Sequence, residues 1–405
     1  MTRTGILAAL SLLLTAQSAE AEDRLTPLLR FVPAEAVQNG AADAFVFADL
    51  AAIRQSVPMR LSLIDGFSWS AEDRMVAALM RSYALPAMLH VYAGNHAEIR
   101  RMREYVGFDW FDIETTAGFA SPPIIPWIVT LDPDAMDADA IGATLSGRGF
   151  ELEMHGGYPI WWRLEDYAYD LANRDLADPL RGHLGGSARA GVVDGAFLAA
   201  STWGVIDWML AALDGTTASL AGSADFMALA HAFAEPVTAD GLFLQAYLIN
   251  GALGLDLLRD SAPRNASDEE RAALAERIAA SVGATGTPVY SAYGIADRQE
   301  GGALIGEVAL VYSDRADAET AARTVPAAFA GQPSLVSDRS FSEIFPYEVV
   351  ADVIAGPDGT RFVARIAFVA ADEAPLEGPA DNRNRPFEQL LEMLFSRDVG
   401  PLVTD

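Results

Sequence analysis

The sequence predicts an α+β protein made of two similar layers of antiparallel sheet, each with helices packed on one face in split β-α-β-like units. Three observations lead to this class. Short apolar runs bounded by turn residues alternate with capped segments of helical spacing. Turn pairs such as Asp194-Gly195 join consecutive strands directly. The same order of elements returns after Glu235-Pro236, which predicts one α+β domain over residues 22–236 and a second over 237–405.

The first unit follows an opening segment, Leu25–Val32. Its elements are predicted from apolar runs of strand length and from helical spacing, with Ser70 and Asp73 at capping-box distance and Gly107 as a helix stop. They are a strand over Ala44–Ala48, a helix from Ser70 to Tyr83, a strand over Ala87–Tyr92 and a helix over Ala97–Val106.

The second unit has the order of a split β-α-β element. A strand over Ile124–Leu131 and a helix over Ala138–Leu145 are followed by a strand over Phe150–His155, which turns back at Gly156-Gly157. The elements predicted after that turn are strands over Pro159–Arg163, Ala188–Val193 and Ala196–Ser201 and helices over Trp203–Leu213 and Ala224–Ala234.

The second half repeats this pattern of strands and capped helices. Ser267 and Glu270 cap one of its helices, and Pro386 marks the start of the last. The predicted strands are Leu242–Ile249, Pro288–Ile295, Ala303–Tyr312 and Arg361–Val369, and the predicted helices are Asp268–Ser281, Ala316–Phe329 and Phe387–Phe395.

Residues 1–21 have the three parts of a secretory signal peptide. Arg3 gives a positive start, residues 5–16 are apolar, and Ala19-Glu20-Ala21 is a cleavage site of the A-x-A type. We therefore expect a periplasmic protein that starts near Glu22 and has no membrane span.

Composition excludes several classes of function. The 405 residues include no Cys, so disulfides, thiolate nucleophiles and cysteine-based metal sites are excluded. All 28 basic residues are Arg, which excludes chemistry that needs a lysine amine, such as a Walker P-loop or a Schiff base. A net charge of −28 makes nucleic acid a poor partner, because both surfaces would repel each other.

Catalytic and cofactor motifs are not found in the sequence. No G-x-S-x-G is present, and the five histidines have no helical ligand spacing, so we expect no cofactor, no metal and no catalytic residue that can be named. The run Asp132, Asp134, Asp137 and Asp139 resembles a calcium loop, but it lacks the glycine and distal Glu of an EF-hand. Carboxylates at a helix start explain it better.

Two local features are candidates for ligand binding. All seven Trp lie between Trp69 and Trp208, and Trp110, Trp161 and Trp162 stand in short segments with aromatics on both faces. Core packing is the alternative for these rings. Arg100, Arg101 and Arg103 form a basic spot that could hold a carboxylate or phosphate, the alternative being an exposed helix face paired with neighbouring glutamates.

The N-terminal half resembles a loose group of exported bacterial proteins and lipoproteins of unknown function. The matching stretches are Leu28–Pro33, Phe47–Arg54, Gly107-Phe108-Asp109 with Asp112-Ile113, Gly157–Trp161, and Ser219-Leu220-Ala221 with Asp225-Phe226 and Leu229, within residues 25–233. The resemblance implies no catalytic residues. Lipoproteins of that group carry a lipobox Cys, which this chain lacks, so membrane anchoring is not expected here.

These observations predict a non-catalytic binding protein or envelope accessory protein, whose partner is an unknown small molecule or envelope protein. The alternative is an exported hydrolase that uses carboxylates. A hydrolase should show a deep cleft with two or more carboxylates in a perturbed environment, whereas a binding protein should show an apolar or aromatic groove.

Overall fold

A computed structural model of the chain describes residues 24–37, 44–61, 77–79, 81–86, 89, 98–119, 126–182, 184–237, 241–253, 267–269, 272–273, 275–276, 286–337, 339–370 and 383–404. The predicted signal peptide lies outside these residues, as does the strand predicted over Ala87–Tyr92 apart from Leu89. Within the helices predicted at 70–83 and 268–281, residues 77–79, 81, 268–269, 272–273 and 275–276 are helical.

A single twelve-stranded sheet organises the described part of the chain, and every neighbouring pair of strands is antiparallel. The order across the sheet is β11-β12-β10-β9-β8-β1-β2-β3-β7-β6-β5-β4. The strands are β1 (Phe45–Asp49), β2 (Ile113–Phe119), β3 (Trp127–Leu131), β4 (Glu151–His155), β5 (Tyr158–Arg163), β6 (Ala188–Val193), β7 (Ala196–Ala200), β8 (Gly241–Asn250), β9 (Ala292–Glu300), β10 (Ala303–Tyr312), β11 (Glu348–Ala355) and β12 (Phe362–Ala370).

The helices cover both faces of this sheet. They are α1 (Thr26–Leu29), α2 (Leu50–Leu61), α3 (Met102–Val106), α4 (Ala138–Gly147), α5 (Trp203–Leu213), α6 (Ala224–Ala234), α7 (Arg315–Gly331), α8 (Phe341–Ile344) and α9 (Arg385–Phe395), with short 3₁₀ turns between some of them.

The predicted α+β class is confirmed. The two halves lie side by side in one sheet, however, and helices cover both of its faces, whereas the sequence predicts two layers with helices on one face each. Strands β1–β7 fill one side and β8–β12 the other, and they meet where β1 pairs with β8. Each half starts with a three-stranded meander and then crosses over through a helix. Because all pairs are antiparallel, β4 is parallel to β3 and β11 is parallel to β10, with β5–β7 or β12 inserted between. Both crossovers are therefore split β-α-β units.

Side chains alternate between the two faces of the sheet and build three apolar clusters. The front core joins both halves under α1, α5 and α6; it includes Phe45, Leu198, Leu229, Leu248 and Val311. On the back face, the N-terminal back core packs under α2, α3 and α4 and includes Trp127, Val129 and Ile141. The C-terminal back core packs under α7, α8 and α9 and includes Ile295, Val325 and Leu390. The front core is thus continuous, whereas the back core is divided.

Local sequence fixes the turn between β6 and β7, but it does not fix every strand of the sheet. Asp194 and Gly195 have φ angles of 46° and 78°, the two positive values that a type I′ hairpin turn requires. Strand β9 continues through Glu300, whereas the apolar pattern predicts its end at Ile295. Strands β2 and β11 were not predicted, because one contains Thr115, Thr116 and Gly118 and the other is an exposed edge.

Candidate functional site

A cavity of about 1010 Å³ lies on the back face beside α9, and we call it the α9 cavity. It brings together residues from the N-terminal half, from β8 and from the C-terminal helix. The residues that line it are Tyr83, Tyr247, Arg383, Arg385, Glu388, Gln389, Leu391, Glu392, Phe395 and Ser396. Aromatic, apolar and charged groups therefore converge on one concave surface, and sites for small molecules combine apolar and aromatic lining with polar groups that orient the ligand.

Buried hydrogen bonds from Gln245 hold the wall that carries Tyr83. The Gln245 side chain accepts hydrogen bonds from the backbone N–H groups of Tyr83 and Ala84, each at 2.8 Å, and donates to the carbonyl oxygen of Arg81 at 2.6 Å. Tyr247 Oη also donates to the carbonyl oxygen of Tyr83 at 3.1 Å. This segment is therefore fixed to β8 although it forms no strand.

A buried ion pair anchors the same wall to β9. Arg81 and Asp297 are both fully buried, and Arg81 donates through Nε at 2.8 Å and through a terminal nitrogen at 2.7 Å to the two carboxylate oxygens. Gln245 donates to the same carboxylate at 2.7 Å. A bidentate arginine contact is geometrically specific, and a buried charge pair is tolerated only when such hydrogen bonds satisfy it.

Asn384 extends this network to the second wall of the cavity, which is α9. Its amide donates to Asp297 Oδ1 at 2.5 Å and to the carbonyl oxygen of Ile305 at 2.9 Å, while its Oδ1 accepts from the backbone N–H of Phe387 at 3.2 Å. Asn384 is thus the N-cap of α9 and also a link to the sheet. We call Arg81, Gln245, Asp297 and Asn384 the back network; it fixes both walls.

Two carboxylates face the cavity from α9. Burial, reinforced by the charge of Glu392, raises the pKa of Glu388 from 4.5 to about 7, against the opposing effect of Arg81. The described side-chain partner of Glu388 is Arg383, whose guanidinium nitrogen lies 3.4 Å from Oε1. Within the described part of the chain, no side-chain hydrogen bond or ion pair of Glu392 is found. Both acids are therefore weakly compensated.

Aromatic rings form the apolar part of the lining. Phe395 is 62 % exposed at the end of α9, and its ring meets that of Tyr247 edge to face at 5.9 Å. Burial raises the pKa of Tyr247 to about 12, so this phenol stays neutral and keeps its hydrogen bond to Tyr83. The cavity thus offers ring surface to a ligand.

A second arginine cluster lies on the opposite face of β9, and we call Arg298, Glu300, Glu307, Arg365 and Asp352 the front network. Arg298 donates to Glu307 at 2.7 Å and to the carbonyl oxygens of Phe233 and Glu235. Arg365 pairs with Asp352 at 2.7 Å and donates to carbonyl oxygens at the end of α6. These contacts satisfy the carbonyls that a helix leaves unpaired at its end.

The aromatic residues predicted to bind ligand are not brought together. Trp110 is 1 % exposed in the N-terminal back core. Trp161 lies on the back face of β5, where its ring packs on Gly142 of α4 and its Nε1 donates to Ser146 Oγ at 3.1 Å. Trp162 points to the other face, with its ring 6.3 Å from that of Trp203. A role in ligand binding stays a prediction.

The predicted basic spot lies among carboxylates. Arg101 pairs with Glu104 at 3.3 Å and with Asp175 at 3.1 Å. Arg103 pairs with Asp109 at 2.8 Å and with Asp112 at 2.7 Å. The side chain of Arg100 is outside the described residues.

The acidic run before α4 acts at a helix start. Asp137 accepts hydrogen bonds from the backbone N–H groups of Asp139 and Ala140, each at 3.0 Å, and is the N-cap of α4. Among the residues that the structure describes, no group of three or more potential ligands is placed to hold a metal ion. Over the same residues, no helix has the length and apolar character needed to cross a membrane.

Comparisons with known proteins add little to this geometry. No protein-family model matches the chain, and no curated protein matches it. Two crystal forms of TP0453 align with 90 % of this chain and with 96 % and 98 % of theirs, at 7 % sequence identity and TM-scores of 0.31 and 0.32. A likeness at this level carries no argument about fold or function.

Sequence reasoning missed the residues of the α9 cavity, because they are far apart in the chain. Tyr83, Tyr247 and Phe395 each look like ordinary apolar positions of a helix or strand. A usable signal was the spacing of Glu388 and Glu392, which places two like charges one turn apart on α9. The polar run at residues 297–300 after an apolar strand was another.

Proposed function

We propose that this chain is an exported, periplasmic binding protein that holds a small amphipathic molecule in the α9 cavity. One observation carries the proposal: the cavity of about 1010 Å³ has both walls fixed by a single buried polar network. Pockets of about 300–1,000 Å³ are typical for small ligands, and they occur preferentially between structural units. Preformed walls reduce the entropy lost on binding.

The lining comes from both halves of the chain and contains both aromatic and charged groups, which supports an amphipathic ligand. Tyr83 comes from the N-terminal half and the α9 residues come from the C-terminal half, so the ligand would lie where the halves meet. Aromatic rings suit an apolar body, and the charged groups suit a polar head. Export rests on residues 1–21 and is tested by osmotic-shock fractionation with N-terminal sequencing, for which we expect a periplasmic product starting near Glu22.

The test of cavity binding uses the neutral dye N-phenyl-1-naphthylamine, whose fluorescence rises in an apolar site. Ser396 lines the cavity and is exposed, so Ser396→Trp should fill the space without disturbing the core. Ser342 of α8 is also exposed, lies outside the cavity lining, and gives the matched control Ser342→Trp. We expect at least tenfold weaker dye binding for Ser396→Trp and less than a twofold change for Ser342→Trp. Unchanged binding by Ser396→Trp would contradict the proposal.

A hydrolase is the second candidate, because Glu388 and Glu392 share the cleft. A carboxyl group with a pKa of about 7 can donate a proton at neutral pH. Binding is favoured over hydrolysis because neither acid is oriented by a strong hydrogen bond from a described residue: Glu388 meets Arg383 at 3.4 Å. A panel of p-nitrophenyl esters and glycosides tests the alternative. Turnover that Glu388→Gln abolishes, and that Glu319→Gln on α7 leaves intact, would favour the hydrolase.

A further inference from the structure

We infer that the polar head recognised in the α9 cavity is an organic cation, such as a substituted ammonium group attached to an apolar body. The inference rests on the proposed function and names the chemical class of its ligand. It starts from two carboxylates, Glu388 and Glu392, that line the same cavity from one face of α9. Acids four residues apart on a helix repel each other, so the unliganded site is electrostatically unfavourable. A cation between them would replace repulsion by attraction.

The position of these acids along α9 also favours a cation. Glu392, Phe395 and Ser396 lie at the C-terminal end of the helix, which ends at Phe395. The aligned peptide dipoles of the helix make this end negative, so that it attracts positive charge. The chain as a whole has a net charge of −28, which raises the local concentration of small cations near its surface.

The aromatic lining provides a second and independent kind of cation contact. Tyr83, Tyr247 and Phe395 line the cavity with the two acids, and the rings of Tyr247 and Phe395 are 5.9 Å apart. Tyr247 is only 9 % exposed and its hydroxyl donates to the carbonyl oxygen of Tyr83, so most of the aromatic surface open to a ligand belongs to Phe395 and to the half-buried Tyr83. Aromatic faces beside carboxylates are the arrangement that recognises substituted ammonium groups.

The arginines in the lining lie near the other end of the helix. Arg385 is the first residue of α9, so it is about 10 Å along the axis from Glu392 at 1.5 Å per residue. Arg383 lies 3.4 Å from Glu388 and is 46 % exposed, and exposed ion pairs of this kind are weak enough for a ligand cation to compete. The cationic head is therefore placed between Glu388 and Glu392, on the side of the cavity where Phe395 lies.

The experiment compares three phenyl probes of similar size but different charge: benzyltrimethylammonium, benzyl alcohol and benzoate. Their binding to the mature full-length chain is measured by ligand-observed NMR at pH 8. We expect benzyltrimethylammonium to bind at least tenfold more tightly than the other two. Glu388→Gln and Glu392→Gln should each weaken binding of the cation at least fivefold. Glu319→Gln, which removes an acid from an exposed i,i+4 ion pair on α7, should change it less than twofold.

Three outcomes would overturn the inference. Benzoate or benzyl alcohol binding as tightly as the cation would leave the cavity as a site and remove its preference for charge. If Glu388→Gln, Glu392→Gln and Ser396→Trp all leave binding of the cation unchanged, the cation binds elsewhere on the acidic surface and not in the α9 cavity. If the unmodified chain binds neither benzyltrimethylammonium nor the dye, the proposed function is contradicted as well. Failure of the cation inference alone, with dye binding intact, is therefore distinguishable from failure of the proposed function.

Discussion

The two buried networks of β9 have the same chemistry and opposite surroundings. Asp297 and Arg298 are neighbours in the chain, both are almost fully buried, and their side chains leave opposite faces of the strand. On the front face, Arg298 and Arg365 end on backbone carbonyls at the end of α6. On the back face, Arg81 and Asn384 converge on Asp297 beside a cavity.

The difference teaches that a buried arginine–carboxylate pair does not by itself mark a ligand site. The front network closes a helix end and joins it to the sheet, and its residues line neither the α9 cavity nor the smaller pocket between residues 221–227 and 357–358. The back network fixes two walls with a space between them. Mutations in the two networks should therefore have different effects. Mutations in the front network should lower stability alone, whereas mutations in the back network should lower both stability and ligand binding.

The largest effect is expected for Arg298→Met. This change leaves Glu307 fully buried without its main partner, and removing one member of a buried pair costs about 3–5 kcal/mol. Urea unfolding should show that loss, while the folded fraction should keep its dye affinity within twofold. Arg315→Met, at an exposed i,i+4 pair, is the control and should cost less than about 0.5 kcal/mol. Tenfold weaker dye binding by Arg298→Met would remove the distinction between the two networks.

Asp297→Asn should lower stability by about 3 kcal/mol and also weaken dye binding at least tenfold. The new amide would face the Arg81 guanidinium with a donor, which leaves a buried charge unpaired. Asp352→Asn is the matched control in the front network. Asp352 is 43 % exposed, so its change should cost under about 1 kcal/mol and leave dye binding intact. Equal binding by both variants would argue against a positioning role for the back network.

Asn384→Ala should cost about 2 kcal/mol, because α9 loses its N-cap and Asp297 loses a donor. Dye binding should weaken at least threefold, since α9 carries most of the cavity lining. Asp137→Ala removes the N-cap of α4, where no contact to the cavity exists among the described residues, and should cost about 1 kcal/mol without changing dye affinity. A parallel loss of binding in both variants would indicate general destabilisation.

The smallest expected effect is in the pH dependence of stability. The pKa of Glu388 is about 7 in the folded chain and ordinarily 4.5, so between these values the folded state binds more protons than the unfolded state. The stability that Glu388 contributes is complete below pH 4.5 and is lost as the pH rises through 7. The free energy of unfolding of Glu388→Gln, relative to that of the parent chain, should therefore rise by about 1–2 kcal/mol between pH 5 and pH 8. Thermal or urea unfolding measures this gain. For Glu319→Gln, the stability difference from the parent chain should not change with pH. If the difference for Glu388→Gln is equally independent of pH, the pKa of Glu388 in the folded chain is near 4.5.

Much of the fold could be predicted from local patterns. The helices Trp203–Leu213 and Ala224–Ala234 and the strand Ala303–Tyr312 have the bounds that their apolar spacing predicts. In these segments the hydrophobic period, the flanking turn residues and the burial in the structure all agree. The Asp194-Gly195 turn was predictable for the same reason, because its backbone requires two positive φ angles.

The end of β9 shows where local patterns are insufficient. Asp297, Arg298, Gln299 and Glu300 are typical of a loop, since four consecutive polar residues seldom lie in a buried strand. They are buried here because partners from distant segments satisfy them, including Arg81 on one face and Glu307 on the other. Strand pairing with β8 and β10 supplies the remaining hydrogen bonds.

The sequence by itself determined the α+β class, most element bounds, the absence of thiol and amine chemistry, and the strong negative charge, because each depends on composition or on neighbours a few residues away. Tertiary structure decided that the two halves share one sheet, that Trp110 is core, and that Tyr83, Tyr247 and Phe395 meet at one cavity. The physical reason is separation along the chain. Arg81 and Asp297 form their ion pair across 216 residues, and the hydrophobic periodicity of a short segment carries no information about such a contact.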